Sequence, residues 1–428
     1  MTNAFDFQVL RRFPDVGVDN LPAVDATDRL VLSEAGAAVK ATGVGQVVVV
    51  GDNYGAMTLG AMALLGADEV RVHQDPLTGE QALALNAIRA GLSRGFRQLP
   101  LTPELFAGAT VVLGQLPKSL DALREIAQLV ATNADPAVQI FLGGRVKHMT
   151  RTMNDVLSDS FTEVRASLAM QKSRALVARQ PRFDCAPSVF PMQAHHPDLS
   201  LWVCAHGAAF AGTKLDLGTR LLLEFVDRMH PDAGQAVDLG CGTGVIAAVL
   251  ARARPQLSVL ATDQSSGAVS SALATMAANG LTQRVDVLRD DAMSSLPDAS
   301  VDLIACNPPF HLGTAVDAGA AQRLFEAAGR VLRPGGQLWT VFNSHLGYRG
   351  QLSRAVGPTR VAGRNARFTV TISTRSGTGG IGPRRPSREP ASRASGPRPS
   401  RAVNQSMISR PGSPKGLPGS AHPPACHR

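Results

Sequence analysis

The chain has few aromatic residues, only 4%, so its cores must be filled by Ala, Val and Leu rather than by stacked rings. Its five cysteines, Cys185, Cys204, Cys241, Cys306 and Cys426, are odd in number, scattered, and free of any CxxC pair. That argues against a disulfide framework or a zinc site and fits a reducing cytosol; no metal is expected. No run of about 18 apolar residues occurs, and the start, "MTNAFDFQVLRRFPD", lacks an apolar signal core. A soluble, cytoplasmic, monomeric protein with no membrane partner is expected. Acid is scarce at the end of the chain. From Ser376 onward nine Lys and Arg face one acid, Glu389, so nearly all of the net charge of +9 sits there. The folded body is close to neutral, and its overall charge gives little support to a basic RNA-binding surface.

With 428 residues and 44% hydrophobic content, the chain has room for two domains with substantial cores. Residues 376–428, rich in Pro, Gly, Ser and Arg and without an apolar period, are expected to be disordered. They are either an RNA-gripping extension that acts through phosphate contacts or a dispensable one. Before them, two halves alternate apolar strands with helical stretches, 1–180 and 201–375, joined by a Pro-rich linker at 181–200.

The halves resemble each other. "QVVVVGDNYGAMTLGAM" (46–62) has the strand, glycine-turn, helix layout of "QAVDLGCGTGVIAAVL" (235–250), and an acid follows each, Asp75 and Asp263. Later, "VVLGQLPK" (111–118) lines up with "LIACNPPF" (303–310). Each half therefore reads as one doubly wound α/β unit, and an internal duplication accounts for the match. The copies differ where chemistry would sit. Val49 stands for Asp238, Asn53 for Gly242, and "QLPK" for "NPPF". The first half is read as having kept the fold and lost the site, serving to dock a large partner or to stabilise the second half.

In the second half, Gly240, Gly242 and Gly244 let the backbone turn tightly toward a ligand, with helix amides facing an anion. Val245 occupies the last-glycine place of a dinucleotide fingerprint, which disfavours NAD. Asp263 closes the next strand, where a carboxylate meets a ribose in such folds. Asp291 is the candidate acceptor for an adenine amino group, with Asp290 its adjacent competitor. An anion cradle, a ribose acceptor and an adenine acceptor on successive strand ends describe an adenosine ligand with an amino-acid tail, and S-adenosylmethionine fits. Two consecutive prolines stop the fourth strand at Asn307. The Asn307 side-chain oxygen and the Pro308 carbonyl can each accept one N–H of a planar amino group, which aims the nitrogen lone pair at a sulfonium methyl. Phe310 would stack on a flat substrate. His311 either touches the substrate or caps the following helix, and Pro309 borders the same turn.

Together these residues resemble the class I methyltransferases. "NPPFH" (307–311) behind a duplicated first half is similar to bacterial ribosomal RNA guanine-N2 methyltransferases, over residues 7 to 375. "LRRFPD…LPAVDATDRLVL" lies closer to the large-subunit branch, and "FAGTKLDLGTRLLL" (210–223), "FNSHLGY" (342–348) and "AGRNARFTV" (362–370) are similar to further stretches of the family. The resemblance implies donor contacts at Asp238, Gly240, Gly242, Gly244, Asp263 and Asp291, with Phe210 and Asp216 at the donor's methionine end. It implies target-base contacts at Asn307, Pro308 and Phe310, with Pro309, His311 and His345 also on the substrate side. The expected reaction is methyl transfer from S-adenosylmethionine to N2 of a guanine in ribosomal RNA, free or in a ribosomal particle. The 23S molecule is favoured over the 16S. The alternatives are another planar amino group, a glutamine amide or adenine N6, or a non-catalytic assembly factor.

Overall fold

The Val-rich run after Gln46 forms β1 (Val47–Val50), and all four side chains are buried, as a strand covered on both faces requires. It is central to a sheet completed by β2 (Val70–His73), β3 (Phe96–Gln98), β4 (Val111–Gln115), β5 (Gln139–Arg145), β6 (Phe161–Ala166) and β7 (Ser173–Pro181). The order is β3-β2-β1-β4-β5-β7-β6. Helices α1 (Ala26–Lys40), α2 (Ala56–Leu65), α3 (Leu77–Arg89), α4 (Pro103–Phe106), α5 (Leu120–Asn133) and α6 (Arg151–Ser158) accompany it. These coordinates are a computed structural model that describes residues 5–15, 21–184, 187–308 and 315–377. Pro309, Phe310, His311 and the tail lie outside the described residues.

A two-stranded ribbon, β8 (Met192–His196) and β9 (Leu201–Ala205), and helix α7 (Leu217–Leu223) lead into the second sheet. Its strands are β10 (Gln235–Leu239), β11 (Ser258–Asp263), β12 (Val285–Arg289), β13 (Val301–Cys306), β14 (Leu332–Asn343), β15 (Thr359–Arg364) and β16 (Phe368–Thr374). Their order, β12-β11-β10-β13-β14-β16-β15, repeats the first sheet strand for strand. Five parallel strands end in an antiparallel hairpin in both. Helices α8 (Val245–Ala253), α9 (Ser266–Ala278), α10 (Ala315–Val331) and α11 (Arg349–Ala355) complete this half. Ala, Val and Leu dominate its cores, with Trp339 and Phe325 among the few large rings fully enclosed.

Register makes the duplication residue-specific. Val49 pairs with Val72 and Leu113, and Asp238 pairs with Ala261 and Ala305, so Val49 does stand in the place of Asp238. Carried along β4 and β13, the same register sets Gln115 opposite Asn307. One expectation is corrected. Gly51 N donates to His73 O at 2.9 Å and Gly240 N to Thr262 O at 2.8 Å, so Gln74, not Asp75, is the counterpart of Asp263. Asp75, the nearest acid, lies one residue beyond the position at equal spacing.

Asp75 has a different use, at the contact between the halves. Pro76 and Ser265, equivalent in the two copies, form an antiparallel bridge. Leu77 N donates to Gln264 O at 2.9 Å, and Ser266 N donates to Asp75 O at 2.8 Å. These bonds exchange under the repeat's own equivalence, as across a two-fold dimer interface. Arg289 closes the contact: its guanidinium donates to Gln74 O, Asp75 O and Gln264 O and pairs with Glu80 at 2.6 Å.

Candidate active site

The carboxyl ends of β10, β11, β12 and β13 open into a cavity of about 410 Å³, within the size range of small-molecule sites. It is lined by Gly240 and Gly242 of the glycine turn, Asp263, Asp290, Asp291, Asn307 and Pro308. Phe210 and Asp216 border it from the segment before β10, and Asp75 and Pro76 reach it from the first half.

The glycine turn is built as its sequence demands. Gly240 has φ of +71°, and a Cβ placed there would meet no atom within 4 Å, so the space in front of it belongs to the cavity. Gly244 differs: with φ of +76°, its Cβ would lie 2.9 Å from Met276 Cε and 3.0 Å from Ala272 Cβ. The first glycine leaves room for a ligand; the third lets α8 pack on α9.

Asp263 Oδ2 accepts from Gly242 N at 3.1 Å and Oδ1 accepts from Ser265 N at 2.9 Å. Burial raises its pKa, while the two amides hold it in place with further lone pairs for hydroxyl donors. Asp290 is consumed by the fold: it accepts from the amides and hydroxyls of Ser294 and Ser295. Asp291 faces the cavity and pairs with Arg323 of α10 at 3.2 Å. Between the two neighbours, Asp291 is thus the one available to a ligand.

Asp238 calls for a correction. It is fully buried, and its Oδ2 accepts from Ala247 N in the first turn of α8 at 3.0 Å. Burial pushes its pKa up to about 7. It does not line the cavity but caps the start of α8 from behind the glycine turn. In the first half the equivalent amide, that of Thr58, is capped by Asp52, which also accepts from Met57 N. The capping acid there comes from the loop instead of the strand. Gln74, at the place of Asp263, turns inward and donates to Gly79 O. The vestigial turn is thus closed by its own side chains.

Asn307 follows β13 directly. Its Nδ2 donates to Asp216 Oδ2 and to Thr219 Oγ1, both at 2.9 Å. A carboxylate only accepts, so the amide orientation is set by chemistry. Its Oδ1 is buried with no hydrogen-bond partner among the described residues. Asp216 is itself placed as the cap of α7, accepting from Thr219 N at 3.0 Å. The first half keeps a relic of this device, Gln115 Nε2 donating to Asp28 Oδ1 at 2.8 Å. His345 is exposed on the turn after β14 and is not among the described residues that line the cavity. Phe210 is 64% exposed at the cavity mouth. Cys241 lines the cavity, its thiol pKa raised by burial. Sequence reasoning missed Thr219, three residues after Asp216 in "DLGT", and it missed the first-half residues Asp75 and Pro76. Nothing local marks a residue that reaches a site across a domain contact. Among the described residues no cluster of ligands suited to a metal ion occurs, and no helix is long and apolar enough to cross a membrane.

A parallel sheet with a glycine turn, an acid after the second strand and Asn-Pro at the fourth defines a class I methyltransferase domain. The methyltransferase small domain family matches residues 200–372, and the RLMG N-terminal domain family matches residues 1–182. Ribosomal RNA large subunit methyltransferase G of Streptomyces avermitilis is 33% identical over 86% of this chain and 97% of its own length. The protein of the same name from Streptomyces coelicolor is 34% identical over 86% and 98%. Among solved structures, a T. thermophilus 16S rRNA N2 guanine methyltransferase (RsmC), in complex with AdoMet and guanosine, matches with a TM-score of 0.64 at 22% identity, covering 82% of this chain and 92% of that one. The chain belongs to the ribosomal RNA large subunit methyltransferase G family.

Proposed function

We propose that the cavity binds S-adenosylmethionine and that the protein methylates the exocyclic N2 of a guanine in large-subunit ribosomal RNA. The observation that carries this reading is the Asn307 amide, held by Asp216 and Thr219 with its oxygen buried and unpaired among the described residues. An unmet buried acceptor costs about 1–3 kcal/mol, and a planar amine brought in with the target base relieves that cost. The residues fit the donor. Gly240 leaves its Cβ space open, Asp263 faces the cavity with lone pairs to spare for a ribose, and Asp291 lies further along the same wall. When bound, S-adenosylmethionine supplies an electrophilic methyl group on sulfur.

The residues of the chain orient the acceptor. Asn307 Oδ1 and the Pro308 carbonyl each take one N–H, which turns the nitrogen lone pair toward the methyl carbon. With the donor in place, the nitrogen–carbon bond would form as the donor's carbon–sulfur bond broke, the electron pair would stay on sulfur, and the spare proton would leave to water. Positioning supplies most of the acceleration, so no strong base is required. The family resemblance gives Pro309, Phe310 and His311, which lie outside the described residues, to the substrate side, and the base is unpaired or flipped because N2 otherwise pairs with cytosine.

In this reading residues 201–375 form the catalytic domain and 1–180 a partner that lost its own site, working as a cytoplasmic monomer. Asp75, Pro76 and Glu80 support a structural duty for that first domain, since they brace Ser265, Gly267 and Arg289 beside the cofactor wall. Mass analysis of nucleosides from 23S RNA, with and without this protein, tests the proposal. Loss of N2-methylguanosine is the expected outcome; unchanged N2-methylguanosine, or loss of an N6-methyladenine instead, overturns it.

A further inference from the structure

The near-neutral balance of the folded chain hides a separation of charge. Residues 327–377 contain eight arginines and neither Asp nor Glu, while residues 1–326 carry 33 acidic against 26 basic side chains. Two of the eight are neutralised, Arg330 by Asp298 at 2.8 Å and Arg333 by Asp302 at 2.5 Å. Arg349, Arg354, Arg360, Arg364, Arg367 and Arg375 make no ion pair among the described residues. All of these except Arg375 are exposed.

The fold brings part of this charge to the active rim. Asn343 at the end of β14 pairs with Phe368, and Arg364 at the end of β15 pairs with Thr369. The hairpin turn therefore stands on the same carboxyl edge of the sheet as Asn307, beside the exposed His345. Three strand spacings, about 14 Å, separate β15 from β13. Asn365 Oδ1 fixes the turn by accepting from Arg367 N at 2.9 Å and Phe368 N at 2.8 Å, so Arg364 and Arg367 flank a defined bend. That bend is braced against the site. A Cβ on Gly218 would lie 2.9 Å from Asp216 Oδ2 and 3.3 Å from the Phe368 ring. The helix that orients Asn307 thus leans on Phe368, the first residue of β16, next to Arg367 of the turn.

We propose that this arginine-edged hairpin, β15–β16, grips the RNA backbone while the target guanine enters the cavity. The inference rests on the function proposed above and assigns its docking surface to the catalytic half. Guanidinium groups match phosphate oxygens two at a time, and each neutralised phosphate releases counterions. The acidic excess of residues 1–326 turns a polyanion away from the remaining surface and steers it to this edge. Charged edge strands also block sheet-to-sheet pairing. That duty accounts for Arg360 and Arg364 but not for Arg367, which lies beyond the strand.

The test uses the full-length protein, the double variant Arg364→Ala/Arg367→Ala and its lysine counterpart, with protein-free 23S RNA from cells lacking this protein as the probe. RNA affinity is measured from 50 to 200 mM salt, alongside affinity for S-adenosylhomocysteine and the yield of N2-methylguanosine. The alanine variant is expected to bind RNA at least tenfold more weakly at low salt, with a log–log salt slope shallower by about 1.4 to 1.8. The lysine variant should recover most of the loss, and cofactor affinity should not move. Equal affinity and slope in wild type and alanine variant overturn the proposal, as does a wild-type protein that fails to bind the RNA. Loss confined to phosphatidylglycerol vesicles, with RNA binding intact, assigns the surface to a membrane and also overturns it. If wild type binds RNA with a slope the variant loses, yet forms no N2-methylguanosine, the function reading falls and the docking surface stands.

Discussion

Asn307→Ala should separate catalysis from binding. In the folded protein this side chain makes two hydrogen bonds of 2.9 Å, to Asp216 and Thr219, and its buried oxygen has no partner among the described residues. Alanine deletes that acceptor and leaves Asp216 Oδ2 with Thr219 N alone. Removing one preorganised polar group from a closed site typically costs about 3 kcal/mol in the transition state, or 10²- to 10³-fold in rate. The expected result is a kcat lower by that factor at saturating RNA, measured by transfer of labelled methyl. The affinity for S-adenosylhomocysteine should stay within about threefold, since Asn307 is not part of the glycine turn. Asn307→Asp sharpens the argument. It restores an acceptor but sets a second carboxylate against Asp216 in place of an amide donor. Its residual activity should exceed that of the alanine variant and stay below that of wild type. A folded alanine variant with kcat within threefold of wild type would refute the orientation mechanism.

Other positions give independent checks. Gly240→Ala puts a methyl into open cavity space at φ +71°; it should cost about 1 kcal/mol of stability yet weaken cofactor binding at least tenfold by calorimetry. Gly244→Ala meets Met276 and Ala272 instead, and strain with overpacking should lower stability by about 3 kcal/mol in urea melts. Asp263→Ala removes the proposed ribose acceptor and should raise the dissociation constant of S-adenosylhomocysteine by about 10- to 100-fold, with wild-type affinity refuting its role. Asp238 holds a pKa near 7 against an ordinary 3.8, so the folded chain keeps that proton longer than the unfolded chain. Its contribution to stability is full below about pH 4 and is lost as pH rises through about 7, by at most about 4 kcal/mol. Asp238→Asn should therefore flatten the pH dependence of the urea midpoint between pH 5 and 8 and raise it at pH 8; an unchanged profile contradicts the buried-acid account.

Strand–turn–helix punctuation made the doubled architecture readable from the residues alone. Glycines after β1 and β10, and runs such as "VVLGQ" and "LIACN", carry their periodicity locally, and the pairing registers follow the same alignment. What sequence could not display was contact at a distance. Asp75 was matched to Asp263 by its charge, whereas backbone pairing gives that place to Gln74 and turns Asp75 toward Ser265 and Gly267. Asp238 was expected against a ligand because motifs do not distinguish a carboxylate facing a cavity from one facing a helix end. The near-neutral sum over the folded body hid a feature in the same way, since a sum erases the opposition between an acidic first 326 residues and an acid-free stretch, 327–377, after them.

The bridge at Pro76 and Ser265 carries an implication for engineering. Because equivalent segments exchange backbone bonds there, the tether between β7 and β8 mainly supplies local concentration. Cutting the chain in that tether, and expressing the two pieces together, should yield a complementing pair whose cofactor pocket forms only on reassembly. Methyl transfer would then report on any two proteins fused to the fragments.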